Sequence, residues 1–348
     1  MDKRLRLSPT TPPADPLDRV HPLIRDELLP PRRLERRHLI SITDLTRADV
    51  ERLLALARTF ARSLEREVKK LPTLRGYTIV NVFYEASTRT SSSFELAAKR
   101  LSADVMSIKA SGSAVEKGES LKDTALTIGA YDPDVVVIRH PHIGAPQIVA
   151  RATRAHIVNA GDGKNQHPTQ ALLDLYTIEE ELGGIEGLHV AIVGDVLHSR
   201  VARSNIQALL LMGAQVTLVG PPALIPRGIE AMGCDTSHSI HAITQADVVY
   251  VLRMQQERML AGANYVPSLR EYTARWGVTA ERLRPGQKVM HPGPMNRGVE
   301  IDGDVADAAD ALIQCQVRSG LVVRMAVLYD LLTHGPVEVK TEAMEEVA

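Results

Sequence analysis

The chain has 348 residues, 44% of them apolar, with 41 Lys and Arg against 42 Asp and Glu for a net charge of −1. That length fits one large domain or two ordinary ones, and near-neutrality gives no general attraction to nucleic acid or to an acidic membrane surface. No apolar run approaches the ~20 residues that span a bilayer, and two cysteines without metal-ligand or disulfide spacing fit a reducing cytoplasm.

Residues 1–37 hold seven prolines, nine Lys or Arg and six Asp or Glu. Proline at that density resists regular structure. The opening MDKRLRLSPTTPPADP lacks the apolar centre of a signal peptide. The segment reads as a mobile extension, with a docking arm and a targeting peptide as alternatives. Its acidic residues count against the last.

From Ile40 the pattern becomes regular. LTRADVERLLALARTFARSLERE places Leu53, Leu56, Ala57 and Phe60 on one helical face, with Thr43 or Thr46 as cap. Short β-rich runs follow at 78–84, 104–110, 134–140 and 156–162, separated by helical patterns at Phe94–Leu101 and Leu121–Ala130. A longer helix over 167–182 closes on Gly183 and Gly184. The alternation then restarts with strands at 188–195, 215–221, 247–253 and 287–294, and an apolar helix near Gln316–Leu332 ends it. Strand and helix in alternation predict parallel sheets covered on both faces. The fold class is therefore α/β, with two doubly wound parallel-sheet domains joined by helices and the active site in the cleft between them.

Polar clusters fall at the carboxyl ends of the predicted strands: EASTRT, RHP and GDGKNQHPTQ in the first half, GDVLHSR, RMQQER and HPGPMNR in the second. Open α/β sheets bind ligands at that edge. The arginines among these clusters predict an anionic ligand. In FYEASTRTSSSFE, Phe94, Ala97, Ala98 and Leu101 keep helical spacing, so a helix begins near Ser91 or Ser92, and Ser92 with Glu95 has capping-box spacing. Ser87, Thr88, Arg89 and Thr90 then sit at a helix N-terminus, where free N–H groups and the dipole attract anions and a guanidinium pairs with two phosphate oxygens. Ordinary capping accounts for one hydroxyl but not for the arginine. GDVLHSR lacks GxGxxG, and no acidic residue closes the next strand, which argues against a dinucleotide.

FYEASTRTSSSFE resembles the carbamoyl-phosphate loop of the aspartate and ornithine carbamoyltransferases. The likeness continues in order through KGESLKDT, VVIRHP, GDGKNQHPTQALLDLYTI, GDVLHSRVARSN, RMQQER and HPGPMNRGVEI, from about Leu39 to Leu332. The resemblance implies that Ser87, Thr88, Arg89 and Thr90 bind the phosphate, with Thr90 also near the carbonyl. It implies that Arg139 bridges phosphate and carbonyl oxygen, that His167 and Gln170 contact the carbamoyl group, and that Pro292 and Gly293 accept from its nitrogen. Arg89, Thr90, Lys117, Arg139 and His167 would be the catalytic set. Ser113 and Lys117 would reach the active site of a neighbouring subunit, making a homotrimer with shared sites. Glu116 stands where some relatives carry a second basic residue.

Two carboxylates on the second substrate require paired cations. By the resemblance Arg200 and Arg253 supply them and Gln255 adds a neutral contact, with Lys117 and Arg139 from the other side, while Glu257 and Arg258 hold their loop. Ornithine carbamoyltransferases carry a cysteine in the HPGP loop and an SMG motif, and lack the crossing lysine. This chain has no Cys near 291–298, no SMG, and has Lys117. Those differences favour L-aspartate as acceptor, in an early step of pyrimidine synthesis, over ornithine or a related amine. A non-catalytic scaffold chain is the alternative of another class, and the retained charges oppose it. The implied enzyme uses neither cofactor nor metal and is cytoplasmic. A regulatory chain or a dihydroorotase are candidate partners. Residues 38–168 with 309–348 would form the carbamoyl-phosphate domain, and 169–308 the aspartate domain.

Overall fold

The computed structural model describes residues 38–109, 119–255 and 268–333. The expectations placed on the 1–37 extension, Ser113, Lys117, Glu257 and Arg258 lie outside these residues.

In chain order the first half runs β1 (His38–Leu39), α1 (Arg47–Ser63), β2 (Thr78–Phe83), α2 (Thr88–Arg100), β3 (Asp104–Lys109), α3 (Leu121–Gly129), β4 (Val135–His140), α4 (Ala145–Ala152), β5 (His156–Asp162) and α5 (Pro168–Leu182). The second half runs β6 (His189–Val193), α6 (Arg200–Leu211), β7 (Gln215–Val219), β8 (Asp235–Ser237), β9 (Val248–Val251), α7 (Leu269–Trp276), β10 (Lys288–Met290), α8 (Gly303–Ala306) and α9 (Ile313–Leu332).

Local chemistry sets these boundaries. Thr46 rather than Thr43 caps α1. Its hydroxyl accepts from Asp49 N while Asp49 accepts from Thr46 N, a reciprocal box. Proline at the first position starts α5, and Gly183 in the left-handed region at φ 79° ends it. One expectation fails. Helix α2 starts at Thr88, not at Ser91 or Ser92, and Ser91 N already donates to Ser87 O at 3.0 Å. Glu95 is engaged by Lys99 at 2.6 Å, so the Ser92–Glu95 spacing serves no cap.

Each half forms one five-stranded sheet, in the orders β1-β5-β4-β2-β3 and β10-β9-β6-β7-β8, and every pairing is parallel. The two sheets share a plan. An interior strand, β2 or β6, is followed outward on one side by β3 or by β7 and β8, and the chain then crosses to the other side at β4 or β9. The crossing leaves a crevice at the carboxyl ends of β2 and β4, and another at those of β6 and β9. Such switch points are where open α/β sheets bind ligands.

Helix α5 leads from the first sheet into the second. Helix α9 returns at the end of the chain to pack on α1, α2 and α5. One apolar cluster therefore runs through both halves, with Phe60, Phe94, Leu172, Ile192 and Leu328 all fully buried. Burying such a side chain contributes roughly 1.5–3 kcal/mol. No helix of the described residues is long and apolar enough to cross a membrane.

Candidate active site

The two switch points face one cavity of about 1040 Å³. From the β2 and β4 side it is lined by Ser87, Thr88, Arg89, Thr90 and Arg139, and from the β6 and β9 side by Arg200, Arg253 and Gln255. His167 and Gln170 at the start of α5 form part of its wall, as do Pro292 and Gly293 after β10. All the described residues singled out in the sequence thus meet at one place.

The first turn of α2 supplies donors. The N–H groups of Thr88, Arg89 and Thr90 precede the first bond of the helix, and Ser87 makes no side-chain cap. The hydroxyl of Ser87 is thus not spent on its own helix, which favours anion binding over plain capping. Thr90 is buried, whereas Arg89 is exposed at the rim. The Arg89 guanidinium packs on Gly293, whose φ is +62° and where a Cβ would strike it. That glycine therefore lets the backbone after β10 and the cation after β2 share one wall.

Arg139 ends β4. Its Nε lies 3.2 Å from Glu85 Oε2 and its Nη1 donates to Ala160 O at 3.4 Å. Arg200 opens α6, whose cap Ser199 accepts from Ala202 N. Arg200 is 2% exposed, and its Nη2 donates to the same Glu85 oxygen at 2.5 Å. Its guanidinium rests on Gly161, at φ +121°, where a Cβ would collide with it. One carboxylate thus ties a cation from each switch point. Glu85 was visible in EASTRT but carried no role in the sequence, because nothing local shows that it bridges two halves of the chain.

His167 is buried and caps α5, its backbone N donating to Ser204 Oγ of α6 at 2.8 Å. Gln255 N donates to Asp195 Oδ2 at 3.2 Å, and Asp195 also pairs with the buried His198 at 2.9 Å. The HPGP loop is folded by Gly293 N donating to His291 Nδ1 at 2.8 Å.

Arg324 of α9 also lines the cavity and was missed in the sequence. It donates to Ser93 Oγ at 2.8 Å and lies over the Phe94 ring. Burial pushes it down to about 10, so it stays cationic at neutral pH. Its signal was a lone arginine in the apolar run LVVRMAVL. Behind the wall, burial pushes the Asp174 carboxyl up to about 6, against the pull of four hydrogen-bond donors. Among the described residues no group of His, Cys, Asp and Glu has the makings of a metal site. The chemistry this arrangement offers is that of fixed cations and N–H donors around an anionic ligand.

Comparison with known proteins agrees with this geometry. Residues 37–180 match the carbamoyl-phosphate binding domain of the aspartate/ornithine carbamoyltransferases, and residues 186–331 match their aspartate/ornithine binding domain. The chain is 55% identical to the aspartate carbamoyltransferase catalytic subunit of Acidothermus cellulolyticus over 316 residues, covering 90% of this chain and 97% of that one. It is 54% identical to the catalytic subunit from Pelotomaculum thermopropionicum, covering 85% and 96%. Among solved structures it resembles Trypanosoma cruzi aspartate transcarbamoylase in complex with carbamoyl phosphate and aspartate, with a TM-score of 0.79, 33% identity, and coverage of 88% and 100%. With both domains matched in order and both switch points facing one cationic cavity, the chain belongs to the aspartate/ornithine carbamoyltransferase family.

Proposed function

We infer that the chain transfers the carbamoyl group of carbamoyl phosphate to the α-amine of L-aspartate, giving N-carbamoyl-L-aspartate and phosphate. The observation that carries this reading is the division of cations across one cavity: Arg89 and Arg139 on one wall, Arg200 and Arg253 on the other. One wall suits a phosphoryl group and the other a dicarboxylic amino acid. Residues 38–168 with 309–348 are assigned to the carbamoyl-phosphate domain and 169–308 to the aspartate domain, a division supported among the described residues by the return of α9 onto α1, α2 and α5.

Phosphate binds at the first turn of α2, on the N–H groups and hydroxyls of Ser87 to Thr90 and on Arg89. The neutral amine attacks the carbonyl carbon, forming the C–N bond. Charge that develops on the carbonyl oxygen meets Arg139, His167 and Thr90. Gln170 and the carbonyls of Pro292 and Gly293 hold the carbamoyl nitrogen. The C–O bond to phosphate then breaks, and the amine proton leaves on a phosphate oxygen. Much of the acceleration comes from holding two anionic reactants in contact, which separate anions in water resist.

An assay for ureido product, run with aspartate and ornithine side by side, tests the reading. Product from aspartate alone is expected, and product from ornithine alone overturns it. Arg253→Ala is expected to raise the aspartate requirement by about 10-fold or more, as the loss of one charge-assisted contact, while carbamoyl-phosphate binding is unchanged. Equilibrium dialysis with labelled carbamoyl phosphate checks the second half of that statement.

The assembly is a homotrimer with sites shared between subunits. Exposed apolar side chains on the edge strand β3 and on and just after α3, Met106, Leu126 and Tyr131, offer a neighbour area to bury. Mixing inactive Lys117→Ala chains with inactive Arg139→Ala chains is then expected to restore about a quarter of full activity, because a cyclic interface pairs each chain with a different neighbour. No recovery after verified subunit exchange means that each site is self-contained.

A further inference from the structure

Asp174 lies one helical turn after Gln170 on α5 and is 1% exposed. Four side chains from four elements donate to it. Gln170 Nε2 of its own helix and Gln316 Nε2 of α9 reach Oδ1, at 3.0 and 2.7 Å. Asn205 Nδ2 of α6 and Tyr250 OH of β9 reach Oδ2, at 2.9 and 2.7 Å. An ionised carboxylate only accepts, so it dictates which end of each amide faces it. Gln170 must turn its NH₂ inward, which leaves Oε1 as its acceptor toward the cavity. Gln316 is oriented in the same way, and its Oε1 accepts from His291 N at 2.9 Å, at the root of the Pro292–Gly293 loop.

We infer that Asp174 is a positioning residue that fixes the amide orientation of Gln170 and of Gln316 together, and so presents acceptors, rather than donors, to the NH₂ of the carbamoyl group. The inference rests on the reading of Gln170 as a carbamoyl contact. A glutamine left to itself offers NH₂ or oxygen about equally, and the wrong end meets the substrate nitrogen donor to donor. Burying a carboxylate opposes folding unless its charge is compensated. Among the described residues Asp174 is compensated by Gln170 and Gln316 at the cavity wall, by Asn205 and Tyr250 behind it, and by the charge of Arg324 on α9.

The readout is selectivity between two non-hydrolysable probes, phosphonoacetamide and acetonylphosphonate, which differ only by NH₂ against CH₃. Calorimetry on the intact protein gives the affinity ratio. Wild type is expected to favour the amide by about 10-fold or more, since a site built to pair a polar group rejects the analogue lacking it. Asp174→Ala is expected to bring the ratio near one while acetonylphosphonate affinity changes less than about threefold, because orientation is lost but the phosphate wall is not. Asp174→Asn is expected to keep much of the preference. Its oxygen still serves both glutamines, while its NH₂ faces the Tyr250 hydroxyl, which both donates and accepts, and Asn205, whose amide can turn over to present its oxygen. Gln170→Met, at the cavity wall, is expected to lose the preference with Asp174 intact, and it carries the test together with Asp174→Asn if the alanine variant does not fold. A wild-type ratio in Asp174→Ala overturns the inference, as do equal losses for both probes or an Asp174→Asn that has lost the preference. A wild type without preference overturns the carbamoyl reading of Gln170 itself, and with it this inference.

Discussion

Arg139→Ala is expected to lower kcat by about 10²–10³-fold, the usual loss when one fixed donor to a developing oxyanion is removed. The structure gives the reason. Arg139 stands at the end of β4, inside the crevice between β4 and β2, and is held before any ligand arrives by Glu85 and by Ala160 O. A donor already in place does not have to reorient as charge builds on the carbonyl oxygen, so its whole benefit falls on the transition state. The competing role is structural, with Arg139 serving only to neutralise Glu85. In that case Arg139→Ala destabilises the fold, and Glu85→Gln in the same chain restores activity by removing the stranded charge. Steady-state kinetics and thermal melts on the single and double variants separate the two. A folded Arg139→Ala with wild-type kcat removes the residue from the mechanism.

The parts of this site that sequence made legible are those written in local chemistry. Hydroxyls beside Arg89 at a strand exit, His167 before a proline that starts a helix, and Arg200 just after a capping serine each signal themselves within a few residues. What stayed hidden depends on chain crossings. Glu85 joins Arg139 to Arg200, which lies 115 residues beyond it in the chain. Asp174 meets Gln316 across 142 residues, and Arg324 reaches Ser93 across 231. No periodicity reports such pairs. The start of α2 was misplaced for a related reason. Serine and threonine lower helix propensity, so SSS looked like a cap, whereas packing of Phe94 and Ala98 into the core carries the helix back to Thr88. The short strands β1 and β8, of two and three residues, carry too little pattern to be seen and owe their existence to the neighbours they extend.

Arg200→Ala is expected to raise the aspartate requirement by about 10²-fold or more, the scale of losing one partner of a buried charge pair. Carbamoyl-phosphate binding measured without aspartate is expected to stay near wild type. Arg200 is already paired through Nη2 with Glu85, so its presence could be credited to that ion pair alone. Its Nη1 argues otherwise, being buried with no hydrogen-bond partner among the described residues. A buried donor left unmade costs about 1–3 kcal/mol, a cost that a ligand carboxylate reaching Nη1 would recover. Gly161 shows how close the fold brings this cation to the backbone, since any side chain there would displace the guanidinium. Arg200→Lys keeps the charge but replaces a planar fork with a single ammonium. It cannot hold Glu85 and a ligand carboxylate at once in the same geometry, so only partial recovery of the aspartate requirement is expected. If instead Arg200→Ala lowers the melting temperature and leaves the aspartate requirement unchanged, the residue is a clasp for Glu85, and the acceptor's carboxylates must be held by Arg253 and other groups. The unmade bond at Nη1 weighs against that outcome, because a clasp alone gains nothing from a second nitrogen kept dry and idle.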